Sequence, residues 1–574
     1  MVPAPVKAQE FLSPLAAFFV ALALIVTVFA IYSPALNFQF ILDDHRFSGD
    51  PRLQSSGHVW EYFTSFVWSQ IPGGPISFYR PIFLLWLRLN FIFGDASPWA
   101  WHLLSVAKHI SVAVLLGLLA WKLLRDRVAA LLAATLFALH PAQTESVAWI
   151  TVPDPLMSAA VLGVLLLYLK CAERISAASE PLAGKANRKA RKQARAHSKE
   201  KQDDSLMWLV ASAAVCLIAL MAKETAVVLP VLIFCLALLL PSKKPAPKEP
   251  APEQSTGHAA RLFSAFRQTL PFLAVTVVYF LLRLSALGGQ ISPRTQNLPW
   301  KTVILSWPAI LLFYVKALFW PVRSRAFADP ALSDTFSFRG VLLPALGVLF
   351  VAAILAGFCL WAKKAARREL PDRQAANVEC ALLLGTLLLV LPILLALNLN
   401  SLNPGDFLHG RYTYLPLAGL MLLLATGWHL VKKGRSVLLA GAGLIAIAFS
   451  VLSVKQETMW KDDLTVFTVA HELAPHNVPV AESLSRAHVQ AALGLLDEPS
   501  GCDAAMPIFE NAIQKFPQDW YAWAGEGECY VKLDNLPEAE QSLRRAYELS
   551  HLPRVGEEWQ LLREKMGLPS TPLN

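Results

Sequence analysis

Long apolar runs constrain this chain more than any other feature. Residues 18–31, 112–124, 381–397 and 437–451 carry little or no charge. About 20 predominantly apolar residues carry a helix across a bilayer, where backbone N–H and C=O groups must bond within their own segment. The expected class is therefore all-α, a polytopic membrane helical bundle. Composition agrees: only 16% of the 574 residues are charged and 55% are hydrophobic, against about 25% charged in ordinary soluble domains. The +9 net charge is no nucleic-acid signature, because the basic residues sit in short stretches between apolar ones.

Lys and Arg concentrate in cytoplasmic loops of membrane proteins. Five clusters are assigned inside: Lys122/Arg125/Arg127, Lys170 to Lys201, Lys243 to Arg267, Lys363/Lys364/Arg367/Arg368 and Lys432/Lys433/Arg435. This rule predicts eleven spans, near 13–32, 101–123, 128–150, 154–171, 206–222, 225–241, 269–287, 340–361, 379–398, 413–431 and 436–454. The first is expected to be retained, since its apolar run is long for a signal peptide and no cleavage site stands out. Residues 303–320 are laid on the outer surface, because one more crossing would invert the 363–373 cluster. Residues 1–454 form the membrane domain, with a first outer loop at 33–100 in which 79–93 reads as an interfacial helix. The basic segments 172–205 and 242–268 are expected as cytoplasmic loops, disordered over 172–205 and 242–257 by their charge and proline.

The tail, 455–574, is less apolar and repetitive. Ala505, Phe509, Ala512 and Pro517 recur 34 residues later as Ala539, Leu543, Ala546 and His551. Trp523, Gly527 and Tyr530 fill the early positions of the second unit. A 34-residue period is that of tetratricopeptide repeats, helix pairs that usually bind peptide or protein. Cys502 and Cys529 fall in this tail. They suit either a disulfide or helix packing.

Chemistry first suggests itself at residues 40–47, FILDDHRF, just after the first span. Adjacent carboxylates repel one another. In an extended segment Asp43 and Asp44 would point to opposite faces, one toward a pocket and one tying down the loop or a cation. On composition alone, a solvated acidic turn is the simpler reading. Other polar residues gather at span ends: His102 and His109, His140 and Glu145 in HPAQTE, Asp154 in VPDPLM, Lys223 and Glu224 in AKET, and Arg411 and Tyr412 in HGRYTYLP. Ionisable groups at membrane depth are costly and point to function, although each alone also suits a snorkelling residue. All but the deeper His109 map to the side of Asp43. His109 reads as a satisfied packing histidine.

The elements LDDHRF, YRPIFLLWLRLNFIFG, WHLLSVAKH, ALHPAQTESVAWI, MAKETAVVLPVL and GRYTYLPLAGL occur in this order before the repeat tail. So ordered, the chain resembles the transmembrane and tetratricopeptide-repeat O-mannosyltransferases. More distantly it is similar to protein O-mannosyltransferases and lipid A aminoarabinose transferases of the GT-C fold. The resemblance implies a glycosyltransferase that moves a mannose-like sugar from a polyprenyl- or dolichyl-phosphate donor to a hydroxyl of an extracytoplasmic acceptor, protein Ser/Thr or glycan. Asp43 or Asp44 would be the base; Lys223, Arg411 and Arg80 would hold the donor phosphate. His102, His140, Glu145, Asp154, Glu224 and Tyr412 would line the pocket. No metal site is assigned: a divalent metal is optional, since Lys and Arg can stabilise a lipid monophosphate. The implied location is a bacterial inner membrane with the site facing the periplasm, or the lumenal face of the endoplasmic reticulum. Family motifs often place Glu before the Arg-Tyr, where this chain has Gly410, and an acidic-Leu pair near Asp154, which here lies between prolines.

Competing readings are a transporter or lipid flippase, an O-antigen ligase-like enzyme, and a non-catalytic scaffold that recruits partners through its repeats. A transporter is expected to show inverted repeats and polar residues at the midplane. Here no internal repeat is evident in 1–454, and the polar set lies at one face.

Overall fold

A computed structural model describes residues 13–71, 78–178, 188–240, 256–290, 296–322, 332–402, 408–498 and 500–569, with backbone alone over 176–178, 188–203 and 256–258. The described residues are overwhelmingly α-helical. Among the described residues, ten helices are long and apolar enough to cross a membrane: Pro14–Asn37, Pro98–Leu124, Asp154–Ile175, Asp204–Ala222, Ala259–Ala286, Trp300–Phe319, Phe338–Glu369, Asp372–Leu395, Gly410–Leu430 and Arg435–Trp460. Many of their large side chains face outward, among them Phe18, Phe19, Leu349, Phe350, Leu444 and Ile447. Apolar surface on this scale is not tolerated in water. It is the surface a multi-pass membrane protein presents to lipid.

The chain divides into two compact units. One holds the apolar helices through Trp460, and the other holds Lys461–Asn574. In the first unit Asp372–Leu395 and Tyr414–Leu430 touch backbone to backbone. A Cβ on Gly419 would lie 2.5 Å from the Gly385 carbonyl oxygen. Small residues permit such close approach where packing, rather than the hydrophobic effect, holds helices together.

Several expectations are corrected. The predicted span 128–150 is a 12-residue helix, Arg127–Ala138, followed by a 3₁₀ turn at Pro141–Gln143 and a short helix at Thr144–Ala148. Pro141 keeps His140 out of the helical region, and His140 adopts φ −71°, ψ 126°. Most of the broken backbone is buried in protein, the condition under which irregular chain is tolerated at membrane depth. Likewise 225–241 resolves into a 3₁₀ turn, Glu224–Val228, and a helix, Leu229–Leu239, because Lys223 is extended. Trp300–Phe319, laid on the surface by the charge rule, meets the length and composition of a span. The basic stretch 188–203 belongs to a 35-residue helix, Arg188–Ala222. Its Ala, Lys, Arg, Gln and Glu are strong helix formers, and continuity with an apolar helix outweighs its charge. Residues 256–268 are helical too, within Thr256–Ala286, while 242–255 lie outside the described residues. The helix expected over 79–93 runs Pro81–Gly94, too short to span.

The second unit is a row of antiparallel helices, Asp463–Leu473, Val478–Leu495, Gly501–Lys515, Trp520–Lys532, Leu536–Ser550 and Pro553–Lys565. Ala505, Ala512, Ala539 and Ala546 are buried as the period requires. Cys502 and Cys529 are free thiols in one apolar core. A Cβ at Gly527 would stand 2.8 Å from Leu543 Cγ and 3.2 Å from its backbone N, whereas Gly494 faces open space. Gly527→Val is therefore expected to destabilise this unit by about 1–3 kcal/mol through overpacking. Gly494→Ala should stabilise it by roughly 0.5–1 kcal/mol. Chemical denaturation followed by tryptophan fluorescence checks both signs.

Candidate functional site

The site is built around residues 149–154, which follow the short Thr144–Ala148 helix. Each contact begins with a side chain at a helix end. Asp44 is fully buried. Its Oδ1 accepts from the Thr151 backbone N–H at 3.1 Å and its Oδ2 from Ile41 N–H at 3.3 Å. The segment is not extended, as expected, but opens a six-residue helix, Asp43–Ser48. The preceding Leu42 has φ +52°, a conformation costly for a side chain with a Cβ and common where a site holds strain. Asp44 ties down the loop through these two bonds, and Asp43 is half-buried.

At the other end of the segment, Asp154 starts the helix Asp154–Ala178. It receives Lys223 Nζ at 2.6 and 2.7 Å, with both side chains buried. In the middle, Trp149 carries the Arg411 guanidinium 4.4 Å above its ring. Arg411 and Lys223 also share the Tyr412 ring, at 5.6 and 5.0 Å. Six residues thus join the acidic loop to two cations.

Glu145 organises the 409–412 turn. Its Oε1 meets His409 Nδ1 at 3.0 Å, and its Oε2 accepts from Arg411 N–H at 3.2 Å. A Cβ on residue 410 would come within 2.8 Å of that Oε2. Gly410 thereby has a physical reason: a larger residue would collide with the carboxylate that aims Arg411. Arg80 lies just before the Pro81–Gly94 helix and pairs bidentately with Glu224, Nε to Oε2 at 3.0 Å and Nη2 to Oε1 at 2.6 Å. Arg80 and Arg411 both act electrostatically on Lys223, so the two pairs belong to one charged cluster.

Two further candidates are buried histidines. His140 Nδ1 accepts from Ala142 N–H at 3.2 Å and Nε2 donates to the Leu318 carbonyl at 3.1 Å; it caps a turn in its neutral form. His102 is buried against the Phe38 ring edge. His109 bonds Tyr414 and the Ala138 carbonyl through both ring nitrogens, as a packing histidine should. Among the described residues, no three His, Cys, Asp or Glu side chains assemble as a metal-ligand group.

Sequence reasoning passed over Lys108, Trp149 and His409. Lys108 had a signal, a lone ammonium within an apolar helix. It is buried, within electrostatic reach of Asp44 and Asp154. Trp149 and His409 lie inside motifs already singled out, but their partners are distant in sequence.

Burial raises the Asp44 carboxyl to about 7 from 3.8. The folded protein therefore binds more protons than the unfolded chain between about pH 4 and about pH 7. By linkage, this group's contribution to stability falls as pH rises across that window. Thermal unfolding of the detergent-solubilised protein should show a descending contribution from pH 4 to 7 that is absent in Asp44→Asn.

The tetratricopeptide-repeat family model matches residues 503–550. The protein O-mannosyl-transferase TMTC3 of Homo sapiens is 23% identical over 515 residues, covering 83% of this chain and 48% of the relative. The protein O-mannosyl-transferase Tmtc1 of Drosophila melanogaster is 25% identical over 532 residues, covering 78% of this chain and 57% of its own. The chain thus spans about half the length of these curated relatives. Among solved structures, the Archaeoglobus fulgidus oligosaccharyltransferase in its apo form superposes with a TM-score of 0.42 at 13% identity, over 83% of this chain and 60% of that one. ArnT from Cupriavidus metallidurans bound to undecaprenyl phosphate gives 0.35 at 14%, over 92% and 80%.

Proposed function

We propose that this protein is an inverting glycosyltransferase that moves a sugar from a polyprenyl-phosphate donor to a hydroxyl group of an extracytoplasmic acceptor. One observation carries the reading: residues 149–154 hold Asp44, and with it the Asp43 turn, at Thr151, while they hold Arg411 at Trp149 and Lys223 at Asp154. A base and a pair of cations on one short scaffold suit a reaction that takes a proton at one end and releases an anion at the other. The names of the relatives suggest mannose as the sugar and a protein as the acceptor, and the repeats offer a surface for that protein or a partner.

In this mechanism the acceptor oxygen attacks the anomeric carbon in line with the bond to phosphate. That bond breaks, and its electron pair leaves with the lipid phosphate. The half-buried Asp43 takes the hydroxyl proton. Arg411, aimed by Glu145 and stacked on Trp149, faces the departing phosphate together with Lys223, and Arg80 lies behind Glu224. Preset cations of this kind act on charge as it develops and need no reorganisation. In-line displacement inverts the sugar linkage.

The basic clusters support an extracytoplasmic site. With 122–127, 170–201, 363–368 and 432–435 inside, the ends bearing Asp43, Glu145, Asp154, Lys223 and Arg411 lie outside. Trp300–Phe319 then lies along that outer face. Purified protein in liposomes, supplied with labelled polyprenyl-phosphate mannose and an acceptor protein, tests the reading. The expected result is label on the acceptor with inverted linkage. Movement of lipid-linked label across the bilayer without transfer would replace this reading with a flippase.

A further inference from the structure

Lys108 lies midway along the Pro98–Leu124 helix, and only 5% of it is exposed. A buried ammonium is costly unless something compensates it. No carboxylate lies within ion-pair distance of Nζ among the described residues. It donates instead to the Ile150 carbonyl at 3.4 Å and sits 5.4 Å from the Trp86 ring. The Ile150 carbonyl belongs to the same peptide group as the Thr151 N–H, and that N–H is the donor to Asp44 Oδ1. One peptide bond therefore stands with a cation on its oxygen and a carboxylate on its hydrogen.

The geometry points to Lys108 as a positioning residue that sets the charge and placement of the acidic turn through the Ile150–Thr151 peptide. The inference rests on the proposed transferase reading. An ammonium at the carbonyl polarises the amide and strengthens its N–H as a donor to an ionised Asp44, because hydrogen bonds in series reinforce one another at low dielectric. Asp44 fixes the short helix that presents Asp43. The titratable and charged groups that face Asp44 among the described residues include Asp43 beside it, His45 and Arg46 in the same short helix, Lys108, and Asp154 at the far end of the segment. The two adjacent aspartates titrate as a pair, so the loss of activity at low pH reports both.

The experiment is the pH profile of kcat/KM for sugar transfer by the full chain, comparing the native protein with Lys108→Met and Lys108→Arg. Without the ammonium the acidic pair binds protons more tightly. The acid limb of Lys108→Met should therefore move at least one pH unit upward, while Lys108→Arg keeps the native profile. A Met variant with an unshifted acid limb overturns the proposal. Should Lys108→Met fail to accumulate, the double variant Asp44→Asn with Lys108→Met decides, because the neutral pair removes the uncompensated carboxylate. Restored accumulation supports the link, and failure of the double variant as well shows Lys108 to be a packing residue only. Absence of transfer by the native protein is a separate result, which counts against the transferase reading itself.

Discussion

Asp43→Asn is expected to lower sugar transfer by about 10²–10⁴, the usual contribution of a positioned general base, and to leave thermal stability nearly unchanged. Asp43 is half-buried at the start of a short helix, and amide for carboxylate is nearly isosteric there. Asp44→Asn should behave in the opposite way. Asp44 accepts from two backbone N–H groups with separate oxygens. An Asn offers one oxygen, and its NH₂ must face the second N–H. The cost of leaving a buried donor unpaired is about 1–3 kcal/mol, so this variant should melt earlier while retaining more activity than Asp43→Asn. Transfer assays and melting curves on both variants assign the two carboxylates. Full activity in Asp43→Asn with abolished activity in a stable Asp44→Asn would exchange their roles.

Lys223→Met carries the largest expected stability effect. Lys223 and Asp154 are each almost wholly buried, and the ammonium touches both carboxylate oxygens. Removing one partner of a buried pair strands the other charge, at a cost of about 3–5 kcal/mol. Lys223→Met should lower the melting temperature sharply and abolish transfer. The double variant Asp154→Asn with Lys223→Met should recover most of the stability, since a neutral pair leaves no stranded charge. It should recover none of the transfer, because the cation facing the donor phosphate is still missing. Recovery of both would reduce the pair to a structural link.

Much of this organisation is legible in the residues because it depends on local chemistry. The apolar runs mark spans, the 34-residue period marks the repeats, and Arg411, Lys223 and Asp154 stand out as charges at span ends. Other parts depend on contacts that no local pattern records. The bond from Asp44 to Thr151 uses a backbone N–H 107 positions away, and a backbone donor leaves no trace in residue identity. Glu145 meets His409 across 264 positions; both lie in recognisable motifs, but their union needs the fold. The break after Ala138 could be read from Pro141. The helix over 188–203 could not be read from charge, since helix propensity and charge point in opposite directions there. Gly410 makes sense only once Glu145 Oε2 is seen to fill the space beside it.

The proposed reaction requires a lipid monophosphate held opposite Asp43 by Arg411 and Lys223. An experimental structure of the protein in nanodiscs, saturated with polyprenyl phosphate, tests this most directly. The predicted result is phosphate density within hydrogen-bonding distance of the Arg411 guanidinium and Lys223 Nζ, with the Asp43 carboxylate across the space where the sugar would sit. Phosphate bound elsewhere, with Arg411 and Lys223 unengaged, would contradict it.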